Sequence, residues 1–159
     1  MNTSARVLLA ASLLLALSPC SGQTPSISPI RGKSSADITA GFGARVHPVL
    51  NIVKRHDGVD FDVPSGTPVR STAAGKVVLA GPVEGYGLEV VVAHGRGFRT
   101  LYAHLSSVAV APGAIVKKGE VIAYSGRSGL ASTEHLHYEV ALNGKNVDPA
   151  LYIPRSADR

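Results

Sequence analysis

Glycine and proline cut this chain into pieces too short for helices. Seventeen glycines and ten prolines are spread over 159 residues. Between them stand short runs rich in β-branched and aromatic residues: Lys76–Ala80, Leu88–Ala93, Arg99–His104, Val121–Tyr124 and Leu136–Leu142. Runs of this length and composition read as strands. No capped helical period extends beyond a turn or two. Gly95-Arg96-Gly97 and Asn143-Gly144 carry hairpin chemistry, the second suited to a two-residue type I′ turn. Short strands joined by tight turns predict an all-β, antiparallel architecture, either a sandwich or an open barrel.

The N-terminus reads differently. Arg6 precedes Val7–Leu17, an apolar run too short to span a bilayer and typical of a secretory signal. Leu17-Ser18-Pro19-Cys20 follows and resembles a lipoprotein signal, in which the cysteine takes a lipid. Pro19 stands where such signals usually carry Gly or Ala. The competing reading is ordinary cleavage nearby, giving a soluble periplasmic or secreted protein. Cys20 is the only cysteine, so no internal disulfide is expected. Residues 1–20 are thus expected as signal peptide, 21–36 as a flexible Ser/Pro/Gly-rich tether, 37–154 as the domain and 155–159 as a frayed tail. Removal of Arg6 lowers the net charge from +5 to +4. A mildly basic exported protein suits an anionic partner such as a cell-wall polymer or lipid headgroups. A leader, no Trp and no Lys/Arg run longer than two argue against nucleic acid.

Three clusters carry chemistry: His56-Asp57-Gly58-Val59-Asp60, His104 within Thr100–Leu105, and His135-Leu136-His137. Alternate residues share a strand face. Leu136, Tyr138 and Val140 form an apolar face, so His135 and His137 point together to the other. Val59, Phe61 and Val63 likewise set His56, Gly58, Asp60 and Asp62 on the opposite face. The same alternation places His104 beside Tyr102. Four histidines and a carboxylate suit a catalytic zinc, which keeps three protein ligands and an open position. Two imidazoles remain to move protons near neutral pH. Spacing leaves open which three hold the metal.

Gly41-Phe42-Gly43-Ala44-Arg45-Val46-His47-Pro48, His56–Asp60, Gly66–Val69, Ala74–Val78, Thr100–Leu105 and Ser132–Glu139 together resemble the signatures of the lysostaphin/LytM-type zinc metallopeptidases. Those enzymes cleave the peptide part of bacterial peptidoglycan. The similarity runs from about Ile38 to Tyr152. It implies the duplicated hybrid-motif β fold of that family and one zinc ion per chain. His56, Asp60 and His137 are then the ligands, and His104 and His135 the catalytic imidazoles. One would be general base toward the activated water; the other would stabilise the oxyanion or protonate the leaving amine. Leu88 stands where the family often has Asn, and Ala123 where Gly is common.

Other residues are weighed separately. Arg45 could contact a substrate carboxylate and His47 could border the groove. His94, beside a turn, is expected to be exposed. Tyr102 reads as a half-buried sheet tyrosine, Asp62 as a solvated carboxylate, and Glu139 as able to orient a ligand histidine. Glu134-x-x-His137 also fits a carboxylate base before a ligand, as in the related D,D-carboxypeptidases, although those need a longer His-to-Asp spacing. A non-enzymatic regulator of cell-wall amidases is the alternative from another class; the complete set of five residues argues against it.

Overall fold

The computed structural model describes residues 23–46 and 53–157. Cys20, His47 and the leader lie outside the described residues. Eleven strands run in chain order: β1 (Gly43–Val46), β2 (Val53–His56), β3 (Val59–Phe61), β4 (Pro68–Arg70), β5 (Gly75–Val83), β6 (Gly87–Gly95), β7 (Phe98–Val108), β8 (Ile115–Val116), β9 (Val121–Ser125), β10 (Leu136–Leu142) and β11 (Lys145–Val147). Two single 3₁₀ turns, Ser35–Asp37 and Pro149–Leu151, are the only helical elements among the described residues. Every strand pairing is antiparallel. The all-β expectation holds. The expected hairpin turns hold as well, because Arg96, Gly97, Asn143 and Gly144 all have positive φ, as a type I′ turn demands.

One sheet, ordered β11-β10-β7-β6-β5-β8, carries the fold, and β1 and β2 form a separate hairpin. Strand β3 shares the outer edge of β10 with β11. Strand β7 changes partner midway. Residues 98–103 pair with β10, and residues beyond His104 pair with β9. The sheet therefore forks at His104. Val59, Phe61, Val90, Val92, Leu105, Ile122, Leu136 and Val140 close the core beneath it.

Two polar rings sit in that core. Tyr102 and Tyr138 are fully buried, and both hydroxyls meet Thr72 Oγ1, at 3.1 and 2.9 Å. Thr100 Oγ1 lies 3.0 Å from the Tyr102 hydroxyl and 2.7 Å from His94 Nε2. His94 Nδ1 donates to the Ala74 carbonyl at 2.9 Å. His94 is thus buried, against the expectation of an exposed turn residue. Its side chain precedes the turn and points inward to complete a hydrogen-bonded chain. Tyr102 is likewise fully rather than half buried.

The segment expected as a tether is also different. From Gln23 onward it lies along the domain: Gln23 N–H donates to His94 O, Ser26 N–H to Thr72 O, and Arg70 N–H to Pro29 O. Ile30 bridges Val69 and is 3% exposed. Ser34 and Asp37 form a reciprocal capping box at the first 3₁₀ turn. Polar composition suggested flexibility, but these side chains and amides satisfy one another against the sheet edge, and Ile30 supplies the apolar anchor.

Candidate metal centre and proton-handling pair

Asp60 and His137 stand directly opposite each other in the β3–β10 pair. They share a face, as strand parity requires. His56 ends β2 and reaches them across the Asp57-Gly58 turn. An added Cβ at Gly58 would meet the Tyr138 carbonyl at 2.4 Å and His137 Cε1 at 2.9 Å. Glycine is needed there for the chain to close this tightly on β10.

The three donor atoms converge. His56 Nε2 lies 3.1 Å from His137 Nδ1 and 3.2 Å from Asp60 Oδ1, and His137 Nδ1 lies 2.8 Å from the same oxygen. Ligand bonds of 2.0–2.2 Å in a tetrahedron would separate such atoms by about 3.3 Å. The tautomers agree. His56 Nδ1–H donates to the Gly41 carbonyl at 2.8 Å, and His137 Nε2–H to Glu139 Oε1 at 3.0 Å. Each imidazole therefore turns its lone pair toward Asp60. Three acceptors facing one point need a cation, so the residues fit a metal. Zinc suits two imidazoles and a carboxylate.

Without a metal, a proton takes that role. Burial opposes charge on His137, but Asp60 and Glu139 outweigh it and raise its pKa to about 9. Burial also opposes ionisation of Asp60; the hydrogen bonds from His137 and His56 prevail and hold it well below the usual carboxylate range. Glu139 fills the role expected of it. It also accepts from the Tyr86 hydroxyl at 2.9 Å and from Asn146 Nδ2 at 2.8 Å. The Tyr86 phenol is pushed far above its ordinary value, first by burial and then by Glu139. Glu89 is buried as well, and burial followed by the charge of Glu139 raises its pKa.

His104 and His135 sit beside the three donors, their rings tilted with centroids 4.7 Å apart, and His104 lies 5.9 Å from His137. His104 is not on the face of Tyr102. A bulge in β7 shifts the register between Leu105 and Tyr102, and His104 takes φ +58°. The extra residue turns His104 to the groove while Tyr102 and Leu105 stay in the core. Its backbone N–H donates to Tyr86 O at 2.9 Å, and Nδ1 donates to Ser128 O at 2.8 Å. Burial lowers its pKa below 6.5, and neighbouring His135 and His137 add to that. His135 precedes β10, and its Nδ1 donates to Thr133 O at 2.9 Å. Both histidines therefore turn Nε2 toward the groove. Glu134 points away and accepts from Ser65 N–H at 3.0 Å, which removes it as a base beside His137. Asp62 is taken up by Thr39 Oγ1 at 3.1 Å.

Two residues were not legible beforehand. Tyr86 props Glu139, and Ser128 both fixes His104 and accepts from Leu88 N–H at 2.9 Å. Both lie next to glycines, and that is the only sequence signal for them. An added Cβ at Gly87 would strike Ser128 at 2.4 Å. The three metal-facing residues, His104, His135, Tyr86 and Glu139 open into one groove of ≈ 660 Å³, which Arg45 and Leu130 also line.

A β fold holding a His₂Asp metal set beside two imidazoles defines a metallopeptidase of lysostaphin type. The chain belongs to peptidase family M23, whose model matches residues 54–149. It is 45% identical over 112 residues to the DD-carboxypeptidase/endopeptidase Mpg of Neisseria meningitidis, covering 70% of this chain and 26% of that protein. It thus spans about a quarter of that relative. A zinc-containing peptidase from Vibrio cholerae superposes with a TM-score of 0.75 at 35% identity, over 81% of this chain and 40% of the other. The catalytic domain of lysostaphin from Staphylococcus simulans gives 0.66 at 31% identity, over 74% and 93%.

Proposed function

We propose that the protein is a zinc-dependent endopeptidase that hydrolyses peptide bonds in the stem peptides or cross-links of peptidoglycan. One observation carries this reading: three lone pairs meet at one point, with two further imidazole nitrogens aimed into the same groove. His56, Asp60 and His137 would hold the zinc, which when bound supplies Lewis-acid activation of water and of the scissile carbonyl. His104 enters the reaction neutral, because burial disfavours its charge. Its Nε2 takes the proton from the attacking water. His135 sits one ring away and is more open to the groove. In its doubly protonated form its Nε2–H donates toward the developing oxyanion, and the proton that His104 took from the water passes to the leaving amine. Glu139 keeps the proton of His137 on Nε2, so Nδ1 stays free for the metal.

The similarity to two enzymes of Vibrio cholerae named peptidoglycan DD-endopeptidase supports the substrate. The Arg6–Cys20 leader supports export to the cell envelope and anchoring through a lipid on Cys20. No helix among the described residues is long and apolar enough to cross a membrane.

Full-length protein, expressed with its leader and purified, is expected to carry about one zinc per chain. It should release new amino termini from purified peptidoglycan. Zinc binding without cleavage, unchanged in His104→Ala, would replace this reading with that of a regulator. Absence of zinc would end it. Mass spectrometry of the mature N-terminus tests the anchor: an unmodified start beyond Cys20 excludes it.

A further inference from the structure

The β1–β2 hairpin contains a pairing that stability does not explain. Arg45 and Lys54 are direct cross-strand partners. Like charges directly opposite each other on one face are destabilising. Both side chains are exposed, and among the described residues neither has an ion-pair partner. Asp57, the nearest acid in sequence, is taken by Arg55 at 2.7 Å. Arg55 itself lies over the Phe42 ring at 5.4 Å.

Direction matters as much as charge. Lys54 is two positions from His56, so the two share a strand face. Through the register, Arg45 shares it too. The pair therefore faces the groove about 6.6 Å along the strand from a metal ligand, and both residues line that groove. Leu130, 87% exposed, lines the same groove. The groove therefore holds two uncompensated cations together with an apolar side chain.

Resting on the peptidase reading above, we propose that Arg45 and Lys54 together bind a free carboxylate on the substrate residue beside the scissile bond. The enzyme is then selective for peptides with an anionic residue at that place, over neutral bridges or amidated forms. Guanidinium and ammonium would each give a charge-assisted hydrogen bond to the carboxylate. The anion would relieve the repulsion that the hairpin otherwise bears.

The test compares two synthetic cross-linked peptides that differ only in a carboxylate or carboxamide beside the scissile bond. Both are digested by the zinc-loaded, full-length protein. Wild type should favour the carboxylate by about tenfold or more in kcat/KM, the worth of one charge-assisted hydrogen bond. Arg45→Gln and Lys54→Gln should each reduce that ratio, and the double variant should bring it near one. Lys145→Gln, an exposed cation on β11 outside the groove, should keep the wild-type ratio. The preference should also fade with added salt. Equal cleavage of both peptides by wild type, or an unchanged ratio in the double variant, overturns the proposal and leaves the peptidase reading intact. Cleavage of neither peptide overturns the peptidase reading itself.

Discussion

His137 has a carboxylate on each ring nitrogen, and that arrangement sets its chemistry. Asp60 accepts on one side and Glu139 on the other, so the metal-free imidazole keeps a proton up to about pH 9. A metal must displace that proton. Zinc affinity should therefore rise with pH until about 9, and binding at pH 7 should release about one proton. Calorimetry in buffers of different ionisation enthalpy measures this; no proton release would contradict it. Glu139→Gln keeps the shape but loses the charge that fixes the tautomer. It should weaken zinc binding by about 10- to 100-fold, read by competition with a chromogenic chelator. His104 acts differently, as a base kept neutral by burial. Its contribution is present above its lowered pKa and is lost as pH falls through it. The acid limb of kcat should then lie below pH 6.5. His104→Ala should cost about 10²- to 10⁴-fold in kcat with zinc content unchanged.

At the scale of elements, the fork in β7 makes the site. The strand leaves β10 for β9 at His104, and the bulge there turns that residue out of the core. Alternation in the sequence placed Asp60 and His137 on one face, because β3 and β10 pair in regular register there. It placed His104 on the wrong face, because a bulge is a property of register between strands and leaves no mark on local periodicity. The five residues that the fold brings to one groove stood out by residue type and spacing, and the proposed division into ligands and imidazoles rests on family resemblance. Tyr86 and Ser128 were not legible, because they act through carbonyls and loop contacts that only the fold assembles. Gly58 tests how tightly β2 and β3 must close on β10. Alanine would drive its Cβ into the Tyr138 carbonyl and the His137 ring. Gly58→Ala should cost about 1–3 kcal/mol of stability, measured by urea unfolding. It should lower zinc occupancy as well. A stable, fully zinc-loaded variant would show that the junction can relax.

Across the whole molecule, two buried features hold the fold together that composition concealed. The Ser- and Pro-rich stretch from Gln23 read as a tether because few of its residues are apolar. Its amides nevertheless pair with the sheet, and Ile30 enters the core. Ile30→Ala should cost about 2–5 kcal/mol, whereas a free tether would show no change in the unfolding midpoint. The second feature is the buried chain from His94 through Thr100, Tyr102 and Thr72 to Tyr138. His94 Nδ1 donates to the Ala74 carbonyl, and its Nε2 lies 2.7 Å from Thr100 Oγ1. Burial lowers its pKa below the ordinary 6.5, and the Ala74 carbonyl only partly offsets this. The unfolded chain consequently takes up the proton first. The stability that neutral His94 provides is complete above pH 6.5 and is lost as pH falls below it, by up to about 1.4 kcal/mol per pH unit. Urea unfolding at pH 7.5 and 5.0 should show this loss in the wild type. His94→Gln, which cannot titrate, should be less stable at pH 7.5 and lose less between the two. Parallel losses in both proteins would assign the acid sensitivity to other groups.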